Sequence, residues 1–165
     1  MKEVESVQKL KELYDKDFPL WAEISYQLLK EKAYELVDGE NLLEEVQDMA
    51  RSDLKACISY LAVILEHLYK WDNFRDLAGG ETAGKGWIKS VNNARKDILA
   101  DFEKYPSLKT KLPLQVDIAW IDARRRLERW LEDNGYDPDE VSLPKRCPYT
   151  YEEAMTRDLR KEVKT

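Results

Sequence analysis

The sequence predicts an all-α fold, a single-domain helical bundle of about five main helices with a short C-terminal helix over residues 1–165. Three observations carry that reading. Apolar residues recur at spacings of three and four along most of the chain, and no stretch alternates apolar and polar residues long enough to make a strand. Charged residues make up 36% of the chain, above the roughly 25% of ordinary globular domains, and exposed helical faces absorb such an excess. At 165 residues, folding buries about 68–70% of the surface of the unfolded chain, so a core forms without a disulfide or metal staple.

Each element then has its own signal. Val4, Val7, Leu10, Lys11 and Leu13 form a weak stripe, so residues 1–13 read as a short, frayed helix. Asp17 is an N-cap with Pro19 in the first turn, and Trp21, Ile24 and Leu28 share the face of a helix running to about Lys32. Asp38 and Gly39 punctuate the chain. Leu42, Val46 and Met49 carry the next apolar stripe up to Ser52, a good cap for the helix that follows. From Leu54, the residues Cys57, Leu61, Ile64, Leu68 and Trp71 form the seam of the central helix, expected from Ser52 to Asp72. Residues 73–86 hold four of the six glycines and read as a flexible loop. Trp87, Val91, Ala94, Ile98 and Phe102 make a helix that ends before Pro106. Pro113 opens another, with Trp120, Ala123, Leu127 and Trp130 inward and Asn134-Gly135 at its end. Thr150 and Glu153 match a capping box for the last helix.

Composition limits function. With 27 basic and 33 acidic residues the net charge is −6, which disfavours nucleic acid and anionic membrane as main partners. The longest apolar run, Leu61 to Leu65, falls far short of the roughly 18 residues of a membrane span. The two cysteines, Cys57 and Cys147, and an N-terminus without an apolar segment predict reduced thiols in a cytoplasmic protein.

Three constellations invite a chemical reading. Gly79, Gly80, Glu81, Thr82, Ala83, Gly84 and Lys85 fit the first seven positions of a phosphate-binding loop. Gly86 stands where a Ser or Thr should hold Mg²⁺ and no strand precedes, so the run reads as an inter-helix loop. Arg124, Arg125, Arg126 and Arg129 form a basic cluster, but Asp122 and Asp133 lie one turn from Arg126 and Arg129, which makes it a salt-bridged, solvated face.

The most specific is the row Asn41, Glu45, Asp48 and Ser52, spaced four, three and four along a helix beside the apolar stripe. His67, the single histidine, could meet Glu45 or Asp48 if two helices pack together. The sequence favours a structural polar network of Asn41, Glu45, Asp48, Ser52 and His67. Its alternative is a metal-binding bundle, or a metal-dependent hydrolase, with Glu45, Asp48 and His67 as ligands. No catalytic residue or cofactor site is assigned.

At these residues the sequence resembles a family of all-helical bacterial proteins, domain of unknown function 29. Tyr14-Asp15-Lys16-Asp17-Phe18 with Trp21, and Glu40-Asn41-Leu42 with Glu44-Glu45-Val46, Asp48-Met49 and Ser52, carry the first part of the likeness. His67-Leu68-Tyr69-Lys70-Trp71, Pro106-Ser107-Leu108, Ala123-Arg124 and Cys147-Pro148-Tyr149-Thr150 carry the rest. The chain departs from the pattern in having Gly84-Lys85-Gly86 before Trp87, where the family has an Arg- and Ser-rich approach. The resemblance implies an all-helical fold and a bacterial-type intracellular setting, and names no reaction. The expected function is a non-enzymatic interaction or regulatory module with a protein partner. Self-association is a subsidiary expectation, drawn from five Trp, nine Tyr and three Phe in so small a domain.

Overall fold

A computed structural model describes residues 2–79 and 81–163, without the side chains at 3, 4 and 81–83. The side chain of Val4 and all of Gly80 therefore lie outside the described residues. Among the described residues every regular element is helical and none is a strand. The fold is all-α. Among the described residues no helix is long and apolar enough to cross a membrane. The chain divides into two compact units, Met1–Arg51 and Ser52–Thr165.

The first unit holds α1 (Lys2–Lys16), α2 (Phe18–Lys30), a 3₁₀ turn (Tyr34–Leu36) and the start of α3 (Gly39–Asn73). Asp17 separates α1 from α2 and accepts a hydrogen bond from the Leu20 backbone N–H, the capping its position predicts. α2 closes in a Schellman motif, with Lys32 N–H bonded to Leu29 carbonyl and Ala33 N–H to Leu28 carbonyl. Lys32 holds the left-handed position of that motif at φ 60°. Glycine is the usual occupant of such a position.

α3 runs unbroken past Ser52, which lies in its interior and not at a helix start. The reason is local: from Glu40 to Lys70 there is no glycine or proline, and Ala50, Arg51, Lys55 and Ala56 are strong helix formers. The expected burial of Leu42, Val46 and Met49 also fails. Val46 and Met49 are 55% and 70% exposed, and only Leu42 is half-buried. Within this unit α3 turns its polar side inward, because Asp38, Asn41 and Glu45 find hydrogen-bond partners there.

The second unit contains the rest of α3, a 3₁₀ turn (Arg75–Ala78), α4 (Glu81–Lys104), α5 (Leu108–Lys111), α6 (Val116–Asp133) and α7 (Tyr151–Thr156). Leu61, Ile64, Leu68 and Trp71 of α3 are buried, as their spacing predicts, against Val91 and Ile98 of α4 and Trp120, Leu127 and Leu131 of α6. α6 ends in the same Schellman geometry as α2, with Gly135 at φ 81°. Thr150 caps α7 by accepting from Glu153 N–H.

The glycine-containing loop is shorter than 73–86. α4 starts at Glu81, so Gly84 and Gly86 are helical. Gly84 is buried against the Trp71 ring, and a Cβ on it would stand 2.8 Å from Trp71 Cζ3. That glycine lets two helices approach closely and does not mark a loop. The phosphate-loop likeness thus dissolves in structure: Gly79 ends a 3₁₀ turn and Gly84 packs on an indole.

Candidate functional site

In the first unit the polar row is met by aromatic side chains. Tyr14 of α1 packs edge-on against Phe18 and Trp21 of α2, with ring centroids 5.7 and 5.0 Å away. Its hydroxyl donates a 2.6 Å hydrogen bond to Glu45 Oε1. That bond, then burial and the charges of Glu45, Glu44 and Asp48, push the phenol up to about 12. Tyr14 is a hydrogen-bond donor at neutral pH and cannot act as a base. Asp38 is fully buried, at 0% exposure. Its Oδ2 accepts from Trp21 Nε1 at 3.0 Å and from Asn41 Nδ2 at 2.6 Å, and its Oδ1 accepts from Asn41 N–H at 3.4 Å. A carboxylate so buried is tolerable because donors surround it. Asp48 is exposed and reaches Tyr14 through its charge.

His67 belongs to the second unit. Its Nδ1–H donates to the Val63 carbonyl at 2.7 Å, which fixes the tautomer and leaves Nε2 as the acceptor. Burial lowers its pKa, opposed by nearby Glu66 and aided by Lys70 and Arg126, so the ring is neutral at pH 7. One turn along α3, Lys70 Nζ and Glu66 Oε1 form a 2.7 Å ion pair whose side chains are only 5% and 10% exposed. Lys70 Nζ also sits 4.8 Å from the Trp130 ring centroid.

The pairing of His67 with Glu45 or Asp48 needs two helices packed side by side. Here the row and His67 stand on one helix, and Glu45 and His67 each have partners within their own unit. Among the described residues no group of three or more His, Cys, Asp and Glu side chains gathers as metal ligands would.

A third cluster joins distant parts of the second unit. Asp72, at the end of α3, accepts two bonds from Arg157, at 2.6 and 2.8 Å, and one from the Tyr149 hydroxyl at 2.6 Å. Burial pushes the Asp72 carboxyl up, but the Arg157 and Tyr149 bonds outweigh it and leave the group below the usual carboxylate range. Arg157 also holds Glu162 with two bonds, at 3.0 and 2.8 Å. Neither cysteine is primed as a nucleophile. Burial and a 3.5 Å contact to Asp101 Oδ2 push Cys57 up to about 12, and burial raises Cys147.

Comparison with known proteins decides the family. A family model described as Domain of unknown function DUF29 matches residues 13–159. The chain belongs to that family. No curated protein and no solved structure gives a significant match. The residues that carry the family likeness turn out to meet one another: Tyr14 meets Glu45, and Trp21 meets Asn41 through Asp38. Sequence reasoning missed Asp38, Glu66, Asp72 and Arg157. Asp38 looked like turn punctuation, and only its 17-residue separation from Trp21 hides the contact. Arg157 lies 85 residues from Asp72, beyond any local pattern.

One surface feature of this DUF29 chain stands apart from these internal networks. Leu114, in the 3₁₀ turn before α6, and Ile118 and Ile121 on α6 are spaced four and three. They are 80%, 54% and 52% exposed. The opposite face of α6 carries the core residues Trp120, Ala123 and Leu127.

Proposed function

We propose that the chain is a non-enzymatic protein-interaction module that docks an amphipathic helix of another protein on the exposed stripe of Leu114, Ile118 and Ile121. The stripe is the observation that carries this reading. Ile118 and Ile121, three apart, lie on one side of α6, with Leu114 exposed in the 3₁₀ turn just before it, and such an apolar ridge is what a second helix packs against. Three side chains this exposed make a patch on the order of 300 Å², a size often functional on a monomer. A stable dimer buries roughly 800 Å² on each partner, so the patch suits a transient partner better than a permanent second copy. The titratable groups elsewhere support the same reading. Tyr14 and Cys57 are held protonated, and the carboxylates of Asp38 and Asp72 are committed to internal donors.

Site-specific photo-crosslinking in the cells that make the protein tests this. A crosslinking residue at Ile118 should give one discrete adduct with a different protein, and Leu114→Glu should abolish it. Adducts only between copies of the chain, or the same adducts from a crosslinker at exposed Glu103, would refute it.

A further inference from the structure

A trough of about 320 Å³ runs along α4, lined by Lys85, Ile88, Lys89, Asn93 and Lys96 and closed by Arg160 and Val163. It continues into a second hollow of about 410 Å³ that shares Asn92, Lys96 and Arg160. Lys85, Lys89, Asn92 and Lys96 are spaced four, three and four, so they project from one side of the helix. Lys85 and Lys89 are like charges one turn apart, which weakens a helix. The chain as a whole is acidic, so gathering four cations here runs against its composition.

Asp158, which lines the second hollow, and nearby Glu162 each already accept hydrogen bonds. Glu162 is held by Arg157 through two bonds, and Asp158 Oδ1 accepts from the Arg160 N–H that opens the last 3₁₀ turn. Among the described residues, none of the side chains of Lys85, Lys89, Lys96 and Arg160 is paired with a carboxylate. Arg95 is spent differently, on the carbonyls of Ala154 and Glu153 at the end of α7, and so fixes one wall of the second hollow.

We propose that this trough binds an extended acidic segment of a partner protein, with carboxylates on Lys85, Lys89, Lys96 and Arg160 and apolar side chains over Ile88 and Val163. The side-chain amides of Asn92 and Asn93 offer donors and acceptors to the backbone of such a segment. Charge complementarity selects an anionic partner, and the apolar floor selects a peptide over a nucleic acid. Among the described residues no aromatic ring lines either hollow, so bases have no platform to stack on. The net charge of −6 repels a long polyanion at a distance, whereas a short acidic segment reaches the local cations. The proposal uses a different helix from the α6 stripe and stands or falls without it.

Fluorescence polarisation with the full chain tests it, using a labelled peptide of about ten residues in which Asp and Glu alternate with Leu. Binding should weaken with added salt and by roughly tenfold in Lys89→Glu/Lys96→Glu. Lys89→Gln/Lys96→Gln, which keeps the helix free of reversed charge, should show a smaller loss in the same direction. Lys55→Glu/Lys109→Glu and Ile118→Glu should bind as the parent does. Three results would overturn the proposal: no binding at low salt, an equal loss in Lys55→Glu/Lys109→Glu, or tighter trough-dependent binding of a single-stranded oligonucleotide of matched charge. Melting curves of the Gln variants confirm that a loss of binding is not a loss of fold.

Discussion

Replacing Lys70 by methionine removes the positive half of a buried ion pair while keeping a side chain of similar length. Lys70 Nζ lies 2.7 Å from Glu66 Oε1 and 4.8 Å from the Trp130 ring centroid, and neither charged side chain exceeds 10% exposure. Removing one partner of such a pair leaves an uncompensated buried charge, so Lys70→Met should cost about 3–5 kcal/mol. Glu66→Met should cost about 1 kcal/mol less, because the face of Trp130 still solvates the ammonium. The double variant Glu66→Met/Lys70→Met leaves no buried charge and should fall within about 1 kcal/mol of the parent. Urea unfolding of the four proteins gives the coupling energy of the pair. His67 adds a second readout. Its Nδ1 lies 3.9 Å from Glu66 Oε2, and Lys70 is one of the charges that hold the ring neutral. In Lys70→Met the ring protonates more readily and stands in for the lost cation, so the loss should shrink as pH falls. A cost below about 1 kcal/mol for Lys70→Met, or a double variant as unstable as that single one, would refute the reasoning.

Three further predictions follow from particular positions. Gly84→Ala should lose about 1–2 kcal/mol despite the better helix former, because its Cβ meets Trp71 at 2.8 Å; Gly86→Ala, with open space around it, should gain about 0.5–1 kcal/mol, both read by urea midpoints. Lys32→Gly should stabilise and Gly135→Ala destabilise, each by about 1 kcal/mol, since both positions hold the left-handed site of the same motif; thermal melts show the opposite signs. His67 has a folded pKa below the ordinary 6.5, so the unfolded chain binds the proton first and stability is lost as pH falls below that value. Melting temperatures between pH 7.5 and 5.5 should fall less steeply in His67→Asn, and an unchanged slope would contradict the neutral, buried ring.

Local signals were legible where the chain settles matters with its own neighbours. Asp17, Thr150 and Gly135 act through bonds within four residues, and their sequence contexts announce them. The seam of Leu61, Ile64, Leu68 and Trp71 was legible because one helix face must be dry. The inward face of α3 in the first unit was not. An apolar stripe and a polar row compete there, and only contacts with Tyr14 and Trp21 decide for the row. Gly84 misled for a related reason, since a glycine that admits a distant indole looks identical in sequence to one that breaks a helix. The row of Asn41, Glu45, Asp48 and Ser52 was correctly seen as one side of a helix. Its partners were not, because an N-cap aspartate with buried donors reads locally as a turn.

The central claim is that the exposed stripe of α6 is the contact face of an interaction module. Methyl NMR spectra of the full chain, recorded with and without the protein captured through Ile118, test it most directly. The methyl signals of Leu114, Ile118 and Ile121 should shift or broaden on addition, while those of buried Leu127 and Leu131 stay in place. Unmoved stripe methyls, with changes confined to the core or to α2, would contradict the claim.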